Sequence, residues 1–470
     1  MDRTPKTQDK ASTTKTQGKV STTPKNKLNY WQILLIGFGF MGSSLAWSIY
    51  NSQVPLILEE RFLLSGTLIG AVMTIDNFFG VIFQPLIGAW SDKTRTKLGR
   101  RMPWILVGIP LCAVFFMLIP TQEKIWSFML FIIAFNLFMS LWRSPVISLM
   151  PDVTEKSLRS QANGIVNLMG GLGAVIAFLT AGMLSDIGDK RFYPFLLGSI
   201  FMLAAFVVLL IYVREPDSIL YRRERGLKIS DRLANRWAED SLRRIEAEER
   251  EYNTADVETL SSEEAGHESK ENNKLSGLSV FKKLSHKDKV NLTALLLAIL
   301  AWFMGYNAIE TFFTLFATHT FGMSGGHATL MLTAFSLCFL VFAIPAGYIG
   351  AKLGKKRTIK IGLIGVTVLF SLVLFNPSPW LLALILVIGG AFWSLVNINS
   401  LPLVLEFSAS ETVGSFTGYY YLFSFTAAIL SPILFGWVKD LVGSYSPLFI
   451  YAVICFVFAF IAMSFVSEEK

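Results

Sequence analysis

An aspartate at position 76 and an arginine at position 143 each stand inside a run of apolar residues, where an ionised side chain costs ~2.5–3.5 kcal/mol or more unless it is paired or hydrated. Asp76, Gly80 and Gln84 fall at four-residue steps on one helical stripe, and Asn136, Ser140 and Arg143 form a similar stripe. An arginine stays protonated, so its approach favours ionised Asp76, whereas desolvation favours the neutral acid. A movement that changed their separation would take up or release a proton, which makes Asp76 and Arg143 the expected proton-coupling pair. A structural ion pair is the plainer reading of the same residues, and the two can coexist. Arg143 lies about seven residues, or ~10 Å of helical rise, closer to the end of its helix that charge places inside, so tilt and the long guanidinium stem must close the gap.

A second acid, Glu310, shares a helical face with Trp302, Tyr306 and Phe313. A carboxylate among aromatic rings suits a polyhydroxylated solute, whose hydroxyls bond the acid while its C–H faces pack on the rings. An aromatic packing seam near the membrane interface would use the same residue types. The solute-binding candidates are therefore Trp47, Asn51, Gln84, Trp302, Tyr306, Asn307, Glu310 and Asn397. Asn397 and Asn399 point to different helix faces, so at most one of them reaches a shared cavity. Ser44, Ser48 and Asn51 make a polar stripe beside Trp47 that is either cavity lining or interhelical glue. His319 and His327 fall near an expected outer loop, and Glu406 reads as an interfacial residue. Cys112, Cys338 and Cys455 sit singly in apolar runs without a Cys-x-x-Cys spacing, so no metal, cofactor or disulfide is expected.

These residues need elements that hold them at membrane depth. The 470 residues are 53% hydrophobic and 16% charged, too apolar for a soluble chain of this length. Apolar segments recur at roughly 31–58, 67–90, 103–120, 125–150, 161–184 and 194–213, then at roughly 290–317, 328–350, 358–375, 380–405, 413–438 and 446–467. Each is near the ~20 residues that a spanning helix needs. The expected fold is an all-α integral membrane protein of twelve transmembrane helices in two pseudo-symmetric six-helix bundles. Its parts are a disordered tail over 1–29, a first bundle over 30–213, a charged linker over 214–289 and a second bundle over 290–470. The tail has no apolar signal core, so the first helix is expected to direct insertion. Within the linker, RLANRWAEDSLRRIEAEERE reads as an exposed charged helix in a tether.

Placing the tail in the cytoplasm puts 36 of the 42 lysines and arginines on that side, in the tail, the linker and alternate short loops. The positive-inside rule then puts both termini in the cytoplasm, with a cell membrane as the expected location. Net charge of +8 is distributed as topology signals and points to no nucleic-acid partner. The expected partners are the bilayer, a small solute and protons, with the chain working as a monomer.

The second segment ends in GVIFQPLIGAWSDKTRTKLGRRMPWILVG, where Gly88, Asp92, Lys93, Gly99, Arg100 and Arg101 resemble the loop signature of the major facilitator superfamily. GYIGAKLGKKR echoes it in the second half, with Ala351 where an aspartate is expected. The longer first-half form, together with SLMPDVTEKSLRSQANGI, is similar to the glycoside-pentoside-hexuronide:cation symporters, and to their sucrose-transporter-like branch in particular. The resemblance implies alternating access around a midplane site, with Asp92, Arg100 and Arg101 as gating residues. It also implies proton and not sodium coupling. Sodium symporters of that family carry carboxylates at positions matching Gly80, Gln84 and Arg143, and a hard cation is poorly served by a glycine and an arginine.

Other classes find less support. The sequence has no phosphate-cradling Gly-x-x-x-x-Gly-Lys-Ser/Thr loop, and no His-Glu-x-x-His occurs. The expectation is therefore a non-enzymatic secondary transporter, a proton-coupled symporter of a disaccharide or related glycoside. Efflux of drug-like or amphiphilic solutes, or a non-transporting membrane sensor, is the alternative.

Overall fold

The computed structural model describes residues 30–154, 158–188, 190–213, 281, 284–408 and 412–467. The tail 1–29 and nearly all of the linker 214–289, with the disordered stretch and the charged helix expected there, lie outside the described residues. The described chain is helical almost throughout. Its helices are α1 (Tyr30–Glu60), α2 (Gly66–Met73), α3 (Ile75–Lys93), α4 (Met102–Leu118), α5 (Ile125–Val153), α6 (Arg159–Leu184), α7 (Phe192–Tyr212), α8 (His286–Phe321), α9 (Gly325–Leu353), α10 (Lys355–Val373), α11 (Pro379–Leu405), α12 (Val413–Val442) and α13 (Leu448–Phe465). Helices α2 and α3 together make one span, broken at Thr74, whose hydroxyl and backbone N–H both turn back onto Ala71 O.

Among the described residues, eleven spans are long and apolar enough to cross a bilayer. Helix α10 is the twelfth element in this set. It has only 19 residues and carries Lys355, Lys356, Arg357 and Lys360 in its first six positions. Basic stems at a helix end can extend along the apolar surface and keep their charges in the headgroup layer, so these four residues anchor one end of a short span. The outward faces carry large exposed apolar side chains, among them Ile344, Phe375, Trp126 and Trp380. Such a surface would aggregate in water and is the natural one in lipid.

The same helix pairings occur twice. Helix α1 packs on α6 and α7, α4 on α5 and α7, and α3 on α5; correspondingly α8 packs on α12 and α13, α10 on α11 and α13, and α9 on α11. The two bundles touch where α6 meets α9, where α2 meets α12, and along α1 and α8. These contacts depend on small residues. A Cβ on Gly70 would lie 2.2 Å from Pro432 O, and one on Gly436 would lie 2.1 Å from Gly66 O, so only glycine lets α2 and α12 come this close.

Helix starts follow local chemistry. Ser65, Ser285, Ser324 and Ser378 each accept a bond from the backbone N–H three residues on, capping α2, α8, α9 and α11. At two of these starts the other bundle adds a second cap. Asp440, near the end of α12, accepts from Gly66 N at 2.7 Å, Thr67 N at 2.8 Å and Thr67 Oγ1 at 2.6 Å. Asp186, just after α6, accepts from Gly326 N at 3.0 Å and Ser324 Oγ at 2.5 Å. Between them, Glu59 accepts from Tyr445 Oη at 2.7 Å and bonds His319 Nε2 at 2.7 Å. Burial and the Glu59 carboxylate push the Tyr445 hydroxyl far above the usual phenol range, so it remains a donor. The end of the molecule near Glu60 is thus clasped shut.

Candidate functional site

Toward the opposite end, near Asp92, the bundles part around a cavity of ≈ 750 Å³. The first bundle lines it from α1 (Trp47, Asn51), α3 (Asp76, Gly80, Gln84), α5 (Arg143, Ser144) and α6 (Asn163, Asn167). The second bundle adds Asn307, Glu310 and Thr311 of α8, with Tyr421 and Phe425 of α12. Acid, base, amide and aromatic groups from both bundles therefore face one space.

Asp76 stands in the first turn of α3, directly after the break at Thr74. Its Oδ1 accepts from Asn77 N at 2.6 Å and Asn77 Nδ2 at 2.9 Å, and its Oδ2 accepts from Trp47 Nε1 at 2.7 Å. The expected direct Asp76–Arg143 pair does not form. Instead the Arg143 guanidinium lies over the Trp47 ring, 4.5 Å from its centroid, with the Phe40 ring at 6.0 Å. The offset in helical rise keeps the two charges apart, and α1, which packs against α5, puts an indole between them. Arg143 Nε is buried without a hydrogen-bond partner.

Across the cavity, Asn51 Nδ2 donates to Glu310 Oε1 at 3.4 Å, linking α1 to α8. Glu310 and Tyr306 also line a smaller annex of ≈ 120 Å³ whose walls include Phe178, Phe335, Leu332 and Trp393. Tyr306 stacks on Trp393 with centroids 4.6 Å apart and planes 3° from parallel.

Several sequence candidates lie elsewhere. Trp302 is fully buried, lines neither cavity, and leaves its Nε1 unbonded. At ~100° per residue it sits about 80° around α8 from Glu310, outside the arc that faces the cavity. Trp393, which the sequence did not single out, is the tryptophan that lines the annex and stacks on Tyr306. Asn397 lines neither cavity. Asn399 bonds Ala346 O at 3.1 Å and packs where Gly350 leaves room, so it joins α11 to α9. Asn136 and Ser140 are buried in α5, and only Arg143 of that stripe reaches the cavity. Asn163 and Asn167 were missed, although their four-residue spacing on an apolar helix is the same cue that picked out Asp76 and Gln84.

The gating candidates sit together at the open end. Arg101 pairs with Asp92 and, through Nε at 3.0 Å, with Asp152; Arg100 Nη2 meets Asp152 at 2.7 Å. Arg101 Nη1 also donates to Ser91 Oγ at 3.0 Å. All these partners belong to the first bundle. Among the described residues the network clamps α3, the start of α4 and α5 together. A shorter counterpart, Lys355 with Glu406, ties α10 to the end of α11.

A family model described as Major Facilitator Superfamily matches residues 36–330 and 295–470. The chain belongs to that superfamily. Among solved relatives of this major facilitator protein, the nucleoside transporter NupG superposes with a TM-score of 0.65 at 13% identity, covering 94% of this chain and 100% of that one. That likeness concerns the fold. Among curated sequences, an uncharacterised symporter, sll1374, from Synechocystis sp. is 28% identical over 183 residues, covering 35% of this chain and 34% of the relative. Proton-associated sugar transporter A from Mus musculus is 34% identical over 80 residues, covering 17% of this chain and 10% of the relative. The chain thus spans about a third or less of the length of these two curated relatives.

Proposed function

We propose that this major facilitator protein carries out proton-coupled symport of a sugar, a disaccharide or related glycoside, by alternating access. The observation that carries the reading is the single cavity in which Asp76 and Arg143 of one bundle, joined through Trp47, face Glu310 and Asn307 of the other. A solute bridging these groups would favour a particular closure of the bundles, and an acid facing the same space can take up a proton with it. Hydroxyl-rich ligands suit the lining, which offers amides, carboxylates, a guanidinium and an aromatic face. The names of the sugar-transporting and symporting relatives point the same way.

The test is uptake into proteoliposomes under an imposed proton gradient, on mono- and disaccharides first ranked by thermal shift, since a ligand of the folded state raises apparent stability. Accumulation that collapses with a protonophore and ignores sodium is expected. Accumulation that strictly requires sodium, or no sugar response at all, would refute the reading. Trp393→Ala, which removes the ring on which Tyr306 stacks beside Glu310, should weaken the affinity of any sugar that binds by about 2- to 10-fold, as loss of an aromatic pair worth ~0.5–1.5 kcal/mol implies, while Trp302→Phe should leave it unchanged.

Orientation follows the charge distribution: the Asp92 end faces the cytoplasm, so the conformation described is inward-open. Ser446, exposed between α12 and α13 at the clasped end, then lies outside. With Cys338 and Cys455 replaced by serine, Ser446→Cys should react with an impermeant maleimide on intact cells; protection there would invert the topology.

One observation favours export of an amphiphilic solute instead, namely the apolar annex beside Glu310. Its size suits a small apolar group, as buried cavities of ~150 Å³ hold benzene. Uptake blocked by amphiphiles and indifferent to sugars would decide for that reading.

A further inference from the structure

The indole of Trp47 touches both charges that the proposed coupling needs. Its N–H donates to Asp76 Oδ2 at 2.7 Å, and its π-face lies 4.5 Å under the Arg143 guanidinium. Among the described residues no carboxylate pairs with Arg143, and its Nε is buried and unbonded. What holds the arginine in place is therefore chiefly the ring.

The two contacts are not independent. A donor bonded to an ionised carboxylate forms a stronger bond than one bonded to a neutral acid. Hydrogen-bonded groups in a low-dielectric site polarise one another. An indole N–H bound to a carboxylate pushes electron density into the ring, and a more electron-rich ring attracts a cation more strongly. When a proton binds one Asp76 oxygen, with no other bond made or broken, the indole loses that polarisation and its hold on Arg143 weakens.

We propose that Trp47 is a positioning residue that makes the place of Arg143 depend on the protonation of Asp76. With Asp76 ionised, Arg143 is parked on the indole. With Asp76 protonated, it is released to turn its N–H donors toward a polar solute in the cavity. Proton binding then precedes and strengthens solute binding, and by linkage the solute strengthens proton binding equally. This inference rests on the reading that Asp76 takes up the proton. The other groups facing Asp76 are Glu310 of α8 and Tyr421 of α12, which line the same cavity, and Tyr50 of α1, buried with its hydroxyl unbonded. Of these, Glu310 is the second carboxylate facing the cavity, so the experiment is run with and without Glu310→Gln.

The experiment needs no identified solute. Infrared difference spectra of the reconstituted full-length protein are recorded across pH, with the protonated carboxyl band of Asp76 assigned by its loss in Asp76→Asn. Ultraviolet difference absorption follows the indoles in the same samples. The wild type should show an indole change with the same midpoint as the Asp76 band. Trp47→Phe should abolish that change and raise the midpoint by about one pH unit or more, because the ionised form loses its charge-assisted donor. Arg143→Gln, which leaves the indole bonded to Asp76, should keep the change that the N–H bond produces and lose the part due to the departing cation; an unchanged indole signal there overturns the positioning role, and this is the second variant if Trp47→Phe does not fold. An Asp76 band that titrates while the indoles stay silent overturns the positioning role and leaves the coupling reading intact. So does a midpoint that Trp47→Phe fails to move. Absence of any titrating Asp76 band refutes the coupling reading itself.

Discussion

Asp76→Asn is expected to bring the steady-state solute ratio across a proteoliposome membrane from at least about 10-fold accumulation down to unity, while exchange of solute down its own gradient persists. Tenfold accumulation corresponds to ~1.4 kcal/mol supplied by the proton gradient, and it requires a group that is loaded on one side and emptied on the other. Asp76 meets that requirement by position. It lines a cavity reached by both bundles, in a helix that begins one residue before it, and the three donors around its carboxylate hold it without neutralising it. Asparagine keeps the size and one acceptor oxygen but cannot cycle a proton. Downhill exchange needs no coupling and should survive. Glu310→Gln is the discriminating companion, because among the described residues Glu310 has only the long Asn51 hydrogen bond, and it sits on the other bundle. Accumulation retained in Asp76→Asn and lost in Glu310→Gln would move the coupling site to α8.

The sequence disclosed the stripes and left their depth undetermined. Four-residue spacing put Asp76, Gly80 and Gln84 on one face, and all three line the cavity because α3 is unbroken over that stretch. The same rule over-reached on α5. Asn136 and Ser140 share Arg143's side but are buried farther from the Asp92 end, on the stretch of α5 where Phe135 packs on Trp47 and Tyr50. On α8 the drift of a 3.6-residue turn carried Trp302 away from the face of Glu310. The indole between Asp76 and Arg143 was beyond reach, since Trp47 comes from a third helix whose packing no spacing reveals. The carboxylate caps were hidden for a related reason. Asp186 and Asp440 look like ordinary interfacial acids, and their backbone partners are 140 and 374 residues away in the chain.

Those two caps yield the second large effect. Asp440→Ala combined with Asp186→Ala should shift the protein from clasped toward open at the Glu60 end, the outer end in the proposed orientation, by roughly 30-fold. Each carboxylate belongs to one bundle and caps a helix start on the other: α12 on α2, and α6 on α9. The two contacts are equivalent under the pseudo-symmetry that exchanges the bundles, so a rocking motion must break both together. Their bonds exist only while that end is shut, and they therefore stabilise one conformation over the other, which is what shifts a population. Loss of a helix cap costs ~1 kcal/mol, within a range of ~0.5–2 kcal/mol, and two such losses give about 2 kcal/mol and hence the factor stated. Glu59, with Tyr445 and His319, keeps the end from opening completely in the double variant. A cysteine replacing Thr329, fully buried where Gln53 of α1 bonds α9, reports the change as faster labelling by an impermeant maleimide. Asp152→Asn is the control at the opposite end, since its partners Arg100 and Arg101 lie within one bundle. It should leave the labelling of Thr329→Cys where it was. Equal labelling rates in the double variant and its parent would mean that the two caps merely finish the helix starts and take no part in holding the outer end closed.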